Sequence, residues 1–320
     1  MPSQLRSLFH ERIWPMRFIP DIAWHGTPIK KGALAIGIFD GVHLGHQRIL
    51  SEALASGLPV SALTFDPHPT SIFAPDRMPS RLLTIKNRVH QLATHGASTV
   101  AVLNFTADFS KLSPQEFIDQ VLIPIFDPQL VVVGENFTFG AKAAGNVDYL
   151  EANAAFKTSG VKLLSNSGGV ISSTRIRDAI KTGNLETANE FLTRPHQLVG
   201  PVVHGEKRGR TIGYPTANIG LTDESTIPSD GVYAGWLTVD GQKWPAAISI
   251  GRNPTFAGVR GRQVEAYALD RDDLDLYDRE ATVEFGWRLR DTIKFDGLDP
   301  LLVQMKIDCD EARRLTHSHT

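Results

Sequence analysis

The chain has 320 residues, 42% of them hydrophobic and 21% charged, with a formal net charge of −2; the length predicts two domains, and without a basic surplus no nucleic-acid partner is expected. A single cysteine, Cys309, excludes an internal disulfide framework and fits a reducing compartment, where it serves as a small apolar residue on the last helix. No stretch reaches the length of a signal-peptide core or a membrane span, so the chain is expected in the cytoplasm with no membrane partner.

Taken in order, the first half alternates short apolar runs with helical patterns. Leu34–Phe39, Val60–Phe65, Thr99–Asn104, Leu130–Gly134 and Val161–Leu164 read as strands. Gln47–Ser56, Ile85–His95, Pro114–Phe126 and Val147–Thr158 read as helices. This alternation implies a parallel, doubly wound α/β sheet, on which ligands sit beyond the carboxyl ends of the strands. The segments holding His43 and His46, Thr64–Pro69, and Gly134–Gly140 all follow predicted strands and are expected to converge on one crevice.

Two further helical runs, Thr174–Lys181 and Leu185–Leu192, lead to Arg194-Pro195. Beyond it, glycine and proline become frequent and short β-type runs recur: Val232–Val239, Ala246–Ile250, Val264–Leu269 and Ala281–Arg288. Such spacing reads as a small antiparallel barrel or sandwich. An amphipathic helix, Pro300–Leu315, ends the pattern. The expected division is residues 1–194, an α/β domain, and residues 195–320, a small β-barrel with a terminal helix.

Gly37–His46 (Gly-Ile-Phe-Asp-Gly-Val-His-Leu-Gly-His) is the most informative stretch. His43 and His46 bracket Gly45 between a strand and a helix start, where backbone N–H groups attract phosphate and a glycine permits close approach. Two imidazoles there can donate hydrogen bonds to an anionic oxygen, which suits transfer at a nucleotide α-phosphate. A zinc site would need a third ligand, for which Asp40 and His68 are the candidates. The dinucleotide pattern Gly-x-Gly-x-x-Gly is missing after the first strand, which argues against an NAD-type site. Asn136 and Phe139 offer an amide and an aromatic face to a planar ring, although each taken singly reads as structural.

Ser172-Ser173-Thr174-Arg175-Ile176-Arg177 opens a helix with capping residues, and its hydroxyls and arginine suit a polyphosphate as well. Thr174 and Arg177 stand one helical step apart, so both can face one ligand. Further on, Gly200 and Gly205 have the spacing of a phosphate-binding lysine loop, but Glu206 stands where lysine is required. Four close glycines with Lys207, Arg208 and Arg210 can still cover a polyphosphate; a plain surface loop is equally consistent with the spacing. Thr216 and Asn218 fall on one face of an extended segment and present oxygen atoms that suit magnesium. Glu265, in Val264–Leu269, becomes a general base for a hydroxyl if it faces them.

These motifs, with Pro215–Asn218 and Ser249–Phe256, stand in the order found in bacterial bifunctional riboflavin kinase/FAD synthetases, which the chain resembles from about Gly32 to Arg314. The resemblance implies phosphorylation of riboflavin to FMN by the C-terminal module and adenylylation of FMN to FAD by the N-terminal one, with ATP as co-substrate and Mg²⁺ as cofactor. His43, His46 and Arg177 fall on its adenylyltransferase motifs, and Glu265 on the kinase base. It further implies nucleotide contacts at Gly37, Phe39, Asp40, Gly45, Asn136, Ser173, Thr174, Gly209 and Gly213. Flavin contacts are implied at His68, Asn136, Phe139 and Asn253, and metal contacts at Thr216 and Asn218. Where the family often carries arginine after Phe139-Gly140, this chain has Lys142, then Ala143-Ala144.

The chemistry of the two reactions agrees with that division. An FMN phosphate is already an anionic nucleophile and needs no base, whereas a ribityl hydroxyl gains from orientation and a carboxylate. Two other readings remain at this level: a single-activity adenylyltransferase with a flavin-binding C-terminal module, and a non-catalytic flavin-binding protein. Oligomerisation is compatible with the sequence but not indicated by it.

Overall fold

Runs of small and branched apolar residues without a charged member, such as Ala33–Ile36 and Leu130–Gly134, form the central strands of an open sheet buried on both faces. The computed structural model describes residues 21–205, 209, 212–222, 224–252 and 262–318. By its internal contacts the chain divides into two compact units.

The first unit comprises Met1–Gly37, Glu52–Asp76 and Gly96–Val161. Its strands are β1 (Ile22–His25), β2 (Ala33–Ile36), β3 (Val60–Asp66), β4 (Thr99–Asn104), β5 (Leu130–Gly134) and β6 (Lys157–Val161), in the order β1-β4-β3-β2-β5-β6. All neighbours are parallel except β1, which pairs antiparallel with β4 at one edge. The loops after β3 and β5 therefore leave the sheet on the same side. The predicted helix Val147–Thr158 is shorter, Val147–Asn153, and the predicted strand Val161–Leu164 is replaced by β6, whose Lys-Thr-Ser-Gly-Val sequence carries little apolar signal. The predicted helix Pro114–Phe126 is α-helical over Pro114–Phe117 and continues with π-type winding over Ile118–Phe126, around Pro124. Ser113 and Glu116 cap its start reciprocally.

The second unit comprises Ile38–Ser51, Arg77–His95 and Lys162–Thr320. The segment carrying His43 and His46, which opens the helix Leu44–Ala55, thus belongs to it, and so do the helices Ile85–Thr94, Ser173–Thr182 and Leu185–Leu192. A two-stranded hairpin, β7 (Ser165–Asn166) and β8 (Gly169–Val170), precedes the second of these. Six strands then close into an antiparallel barrel: β9 (His196–Val203), β10 (Ala217–Ile219), β11 (Gly231–Val239), β12 (Gln242–Arg252), β13 (Arg262–Ala268) and β14 (Glu280–Arg290). Closure pairs both edges, so the barrel holds and the sandwich does not. Neither β9 nor β10 stands among the predicted strands.

Alternate barrel residues point inward, and Leu198, Val202, Tyr233, Ile248, Val264 and Phe285 form one apolar cluster with Ile176, Ile180 and Phe191 of the preceding helices. The last helix, Leu298–His317, packs on the barrel exterior through Cys309 and Ala312. Burial raises the Cys309 thiol to about 11, so it is a packed, protonated side chain, as its place in the amphipathic pattern predicted.

Candidate active sites

The barrel site starts from β10. Its short extended run buries Ala217 and Ile219 and leaves Asn218 on the other face, which Thr216 shares by alternation. Asn218 lies directly opposite Glu265 of β13, and Glu265 opposite Ser249 of β12. The Thr216 hydroxyl donates to Glu265 Oε2 at 3.2 Å. The arrangement that sequence alone left conditional, a carboxylate facing both oxygen-bearing residues, is therefore present.

Gly205 and Gly209 pack where a side chain could not: a Cβ on Gly205 would overlap the Asn218 amide, and one on Gly209 the carbonyl of Tyr214. Gly213 takes a left-handed φ of 84°. Thr216, Asn218, Gly205 and Gly209 line a cavity of about 430 Å³ together with His204, Arg271 and Tyr277. These last three were not among the predicted site residues. The His204 and Tyr277 rings lie 4.1 Å apart, a pairing between the residue just after β9 and a distant loop that no local pattern announces. Lys207, Arg208, Arg210 and Asn253 lie outside the described residues.

The histidine site spans a strained loop, which ends at His43, and the first turn of the helix Leu44–Ala55, which carries His46. Phe39 (φ 54°) and Val42 (φ 42°) hold left-handed conformations that ordinary side chains resist, and complete burial of both keeps them there. Phe39 is thus a packing residue; its ring meets His46 edge-on at 5.3 Å. The His43 and His46 rings stack at 3.7 Å. Gly45 N–H donates to His43 Nδ1 at 3.1 Å, which places the neutral ring's own proton on Nε2. Burial, followed by nearby guanidinium groups, lowers His43 to about 4, against the partial opposition of Asp40. Burial, His43 and the charges of Arg88 and Arg177 hold His46 well below the ordinary imidazole value. Both rings are neutral donors near neutral pH.

Asp40 organises this loop from within. Its carboxylate, 3% exposed, accepts from the backbone of Leu82 at 3.1 Å and Leu83 at 3.3 Å, and from Arg177 Nη2 at 2.6 Å. The buried Arg88 approaches it at 4.0 Å. Arg177 Nε also donates to Ser80 O, and the Ser173 hydroxyl to Asp40 O. Asp40 and Ser173 are therefore turned to protein partners, the Asp40 carboxylate holding Arg177 and the Ser173 hydroxyl holding the Asp40 backbone, while Thr174 is exposed at the helix start. The expectation that Thr174 and Arg177 face one ligand does not describe this helix: Ile176, Arg177 and Ile180 form its buried side. Arg194, which marked only a boundary in the sequence, donates to Gly41 O and Leu192 O. Among the described residues no group of three or more His, Cys, Asp or Glu side chains could hold a metal ion.

In the first unit, Gly37 N–H donates to Leu63 O at the end of β2. His68 follows β3 and accepts from Thr70 N at 3.2 Å. After β5, Asn136 is exposed, but Phe139 is not the open aromatic face that was expected. It is 8% exposed, bounded by Phe117, Phe137 and Tyr149, and held against Gly145, where a Cβ would strike its ring. Phe137, stacked on Phe139 at 5.6 Å and half-buried, presents the accessible ring. Distinguishing these two phenylalanines requires the turn that only the folded chain defines.

Two family models match the chain: one described as FAD synthetase over residues 27–175, and one described as riboflavin kinase over residues 192–316. A bifunctional riboflavin kinase/FMN adenylyltransferase from Listeria monocytogenes is 38% identical over 294 residues, covering 90% of this chain and 93% of that protein. This chain belongs to the bifunctional riboflavin kinase/FMN adenylyltransferase family. The Bacillus subtilis member is 36% identical over 295 residues, with 89% and 92% covered. A solved structure described as a macrolide-efflux protein from Streptococcus pneumoniae superposes with a TM-score of 0.82 at 34% identity, over 90% of this chain and 95% of that one. Among the described residues no helix is long and apolar enough to cross a membrane.

Proposed function

We propose that the chain makes FAD from riboflavin in two steps, each consuming ATP, with residues 195–320 carrying the kinase and residues 1–194 the adenylyltransferase. The observation that carries this reading is the placement of Thr216 and Asn218 beside Glu265. A decayed or merely flavin-binding barrel has no need of a carboxylate held against a hydroxyl and an amide. The ends of the two family matches, at 175 and 192, support a division near Arg194.

In the first step Glu265 takes the proton from the ribityl 5′-hydroxyl as its oxygen bonds to the γ-phosphorus of ATP, and ADP leaves. Thr216 and Asn218 fit a magnesium ion: it prefers oxygen ligands and takes few from protein, the rest coming from ATP phosphates and water. When bound, the ion neutralises phosphate charge. Gly205, Gly209 and Gly213 let backbone approach the nucleotide, and Asn253 contacts flavin.

In the second step an FMN phosphate oxygen bonds to the α-phosphorus of another ATP, and pyrophosphate leaves. No proton is removed, and neutral His43 and His46 donate to the α-phosphate oxygens where charge accumulates. Arg177, braced by Asp40, adds positive potential from behind; Gly37, Gly45 and Thr174 contact nucleotide. Asn136, His68 and Phe137 take the flavin side. The single buried cysteine supports a cytoplasmic location.

Chromatography of a reaction containing riboflavin, ATP and Mg²⁺ tests the whole reading. FMN is expected first and FAD after it. FAD from supplied FMN without turnover of riboflavin would remove the kinase, and FMN without FAD would remove the adenylyltransferase.

A further inference from the structure

The helix Ser173–Thr182 begins with arginines at 175 and 177 and has no acidic residue in its first turn. Cations are unfavourable near a helix N-terminus, so each arginine there calls for a compensating contact. Arg177 finds Asp40. Arg175 turns back instead to the hairpin before the helix: Nη1 donates to Asn166 Oδ1 at 2.7 Å and to Gly169 O at 2.9 Å. Its guanidinium lies 4.8 Å from the ring centre of Phe191, which is fully buried. Asn166 Oδ1 also accepts from Gly168 N, which closes the turn. A Cβ on Gly168 would collide with Arg175 Nη2, so the turn is shaped to this guanidinium.

We infer that Arg175 is a positioning residue for adenylyl transfer, locking the β7–β8 hairpin onto the helix start that presents Thr174 and holds Asp40. The inference rests on the proposed adenylyltransferase reading. Hairpin and helix are joined by one short extended stretch, Ile171–Ser172, with Ile171 N–H bonded back to Leu164 O. With the hairpin released, that stretch no longer fixes the helix N-terminus, and the nucleotide must order it on binding. Its partners are two neutral oxygens and a ring, so Arg175 keeps its positive charge beside the place where the triphosphate is expected.

The test is kinetic, on the full-length chain, with FAD formation from FMN and FMN formation from riboflavin measured for each variant. R175A is expected to raise KM for ATP about tenfold in FAD formation, the size of one lost charge-assisted hydrogen bond, with kcat within about twofold. Kinase constants stay unchanged. R175K keeps the charge but lacks the planar guanidinium that lies over Phe191 and against Gly168, and is expected to remain impaired like R175A. N166A attacks the same contact from the other side and should raise the same KM. The double variant R175A/N166A should be no worse than R175A alone. Unchanged KM in R175A, recovery in R175K, additive effects in the double variant, or a parallel loss of kinase activity would each overturn the positioning role. If the unmodified chain makes no FAD from FMN, the adenylyltransferase reading itself fails, an outcome these variants do not produce.

Discussion

Asp40 and Arg177, 137 positions apart in sequence, meet through a hydrogen bond of 2.6 Å with both side chains almost fully buried. Removing one partner strands a buried charge, which costs about 3–5 kcal/mol. D40N should therefore lower stability by that order in urea unfolding and depress FAD formation in the protein that remains folded. A variant of native stability that still makes FAD would show that Arg177 stands without its brace.

The stacked histidines make the two activities separable. H46A removes a donor to developing charge, an effect of about 100- to 1000-fold on kcat in comparable sites. FAD formation should fall by that factor and FMN formation should not change. Equal losses in a folded variant would contradict the two-site assignment.

Glu265 gives the reciprocal case. E265Q keeps the size and the contact with Thr216 but cannot take a proton, and kinase kcat should drop about 100- to 10,000-fold. FAD formation from supplied FMN serves as the control. Undiminished phosphorylation of riboflavin would remove Glu265 from the role of base.

Acid should weaken the fold through its buried histidines. His43 and His196 both sit at about 4 when folded, against 6.5 for a free imidazole, mainly because burial disfavours the charged ring. Below about pH 6.5 the unfolded chain binds protons that the folded chain refuses, so stability falls as pH drops and levels off below 4. The full effect is about 3 kcal/mol per histidine. His196 donates through Nε2 to Thr226 O and touches neither site. H196Q should make the decline of urea midpoint between pH 7 and pH 5 shallower, and an identical decline would exclude His196 as a contributor.

Phe137 and Phe139 should part in opposite directions. F139A empties a buried aromatic position and should cost about 3–5 kcal/mol of stability. F137A should leave thermal unfolding near native and raise KM for FMN in adenylylation. A stability loss confined to F137A would reverse their roles.

Much of this protein was legible along the chain because local chemistry fixed it. Apolar runs without charges gave β2, β3, β4 and β5, and the helix Leu185–Leu192 matched its periodicity from end to end. Edge elements were harder. β1 has four residues and β6 reads as polar; β9 is no edge, being paired on both sides in the barrel, but it too mixes His, Gln, Gly and Pro, since one-sided burial asks little of a strand's composition.

The sequence by itself determined the family, the order of the two activities along the chain and the residue types at each site, because glycine, histidine and carboxylate spacings are written locally. Only the tertiary structure decided which of those residues stay accessible and which are buried as braces for the others. Asp40, Phe39 and Phe139 share motifs with site residues, yet burial turns all three inward. Thr216 and Glu265 lie 49 positions apart, and only barrel closure sets them side by side. Long-range pairing of this kind follows from the summed packing of whole elements, which no short window of sequence contains.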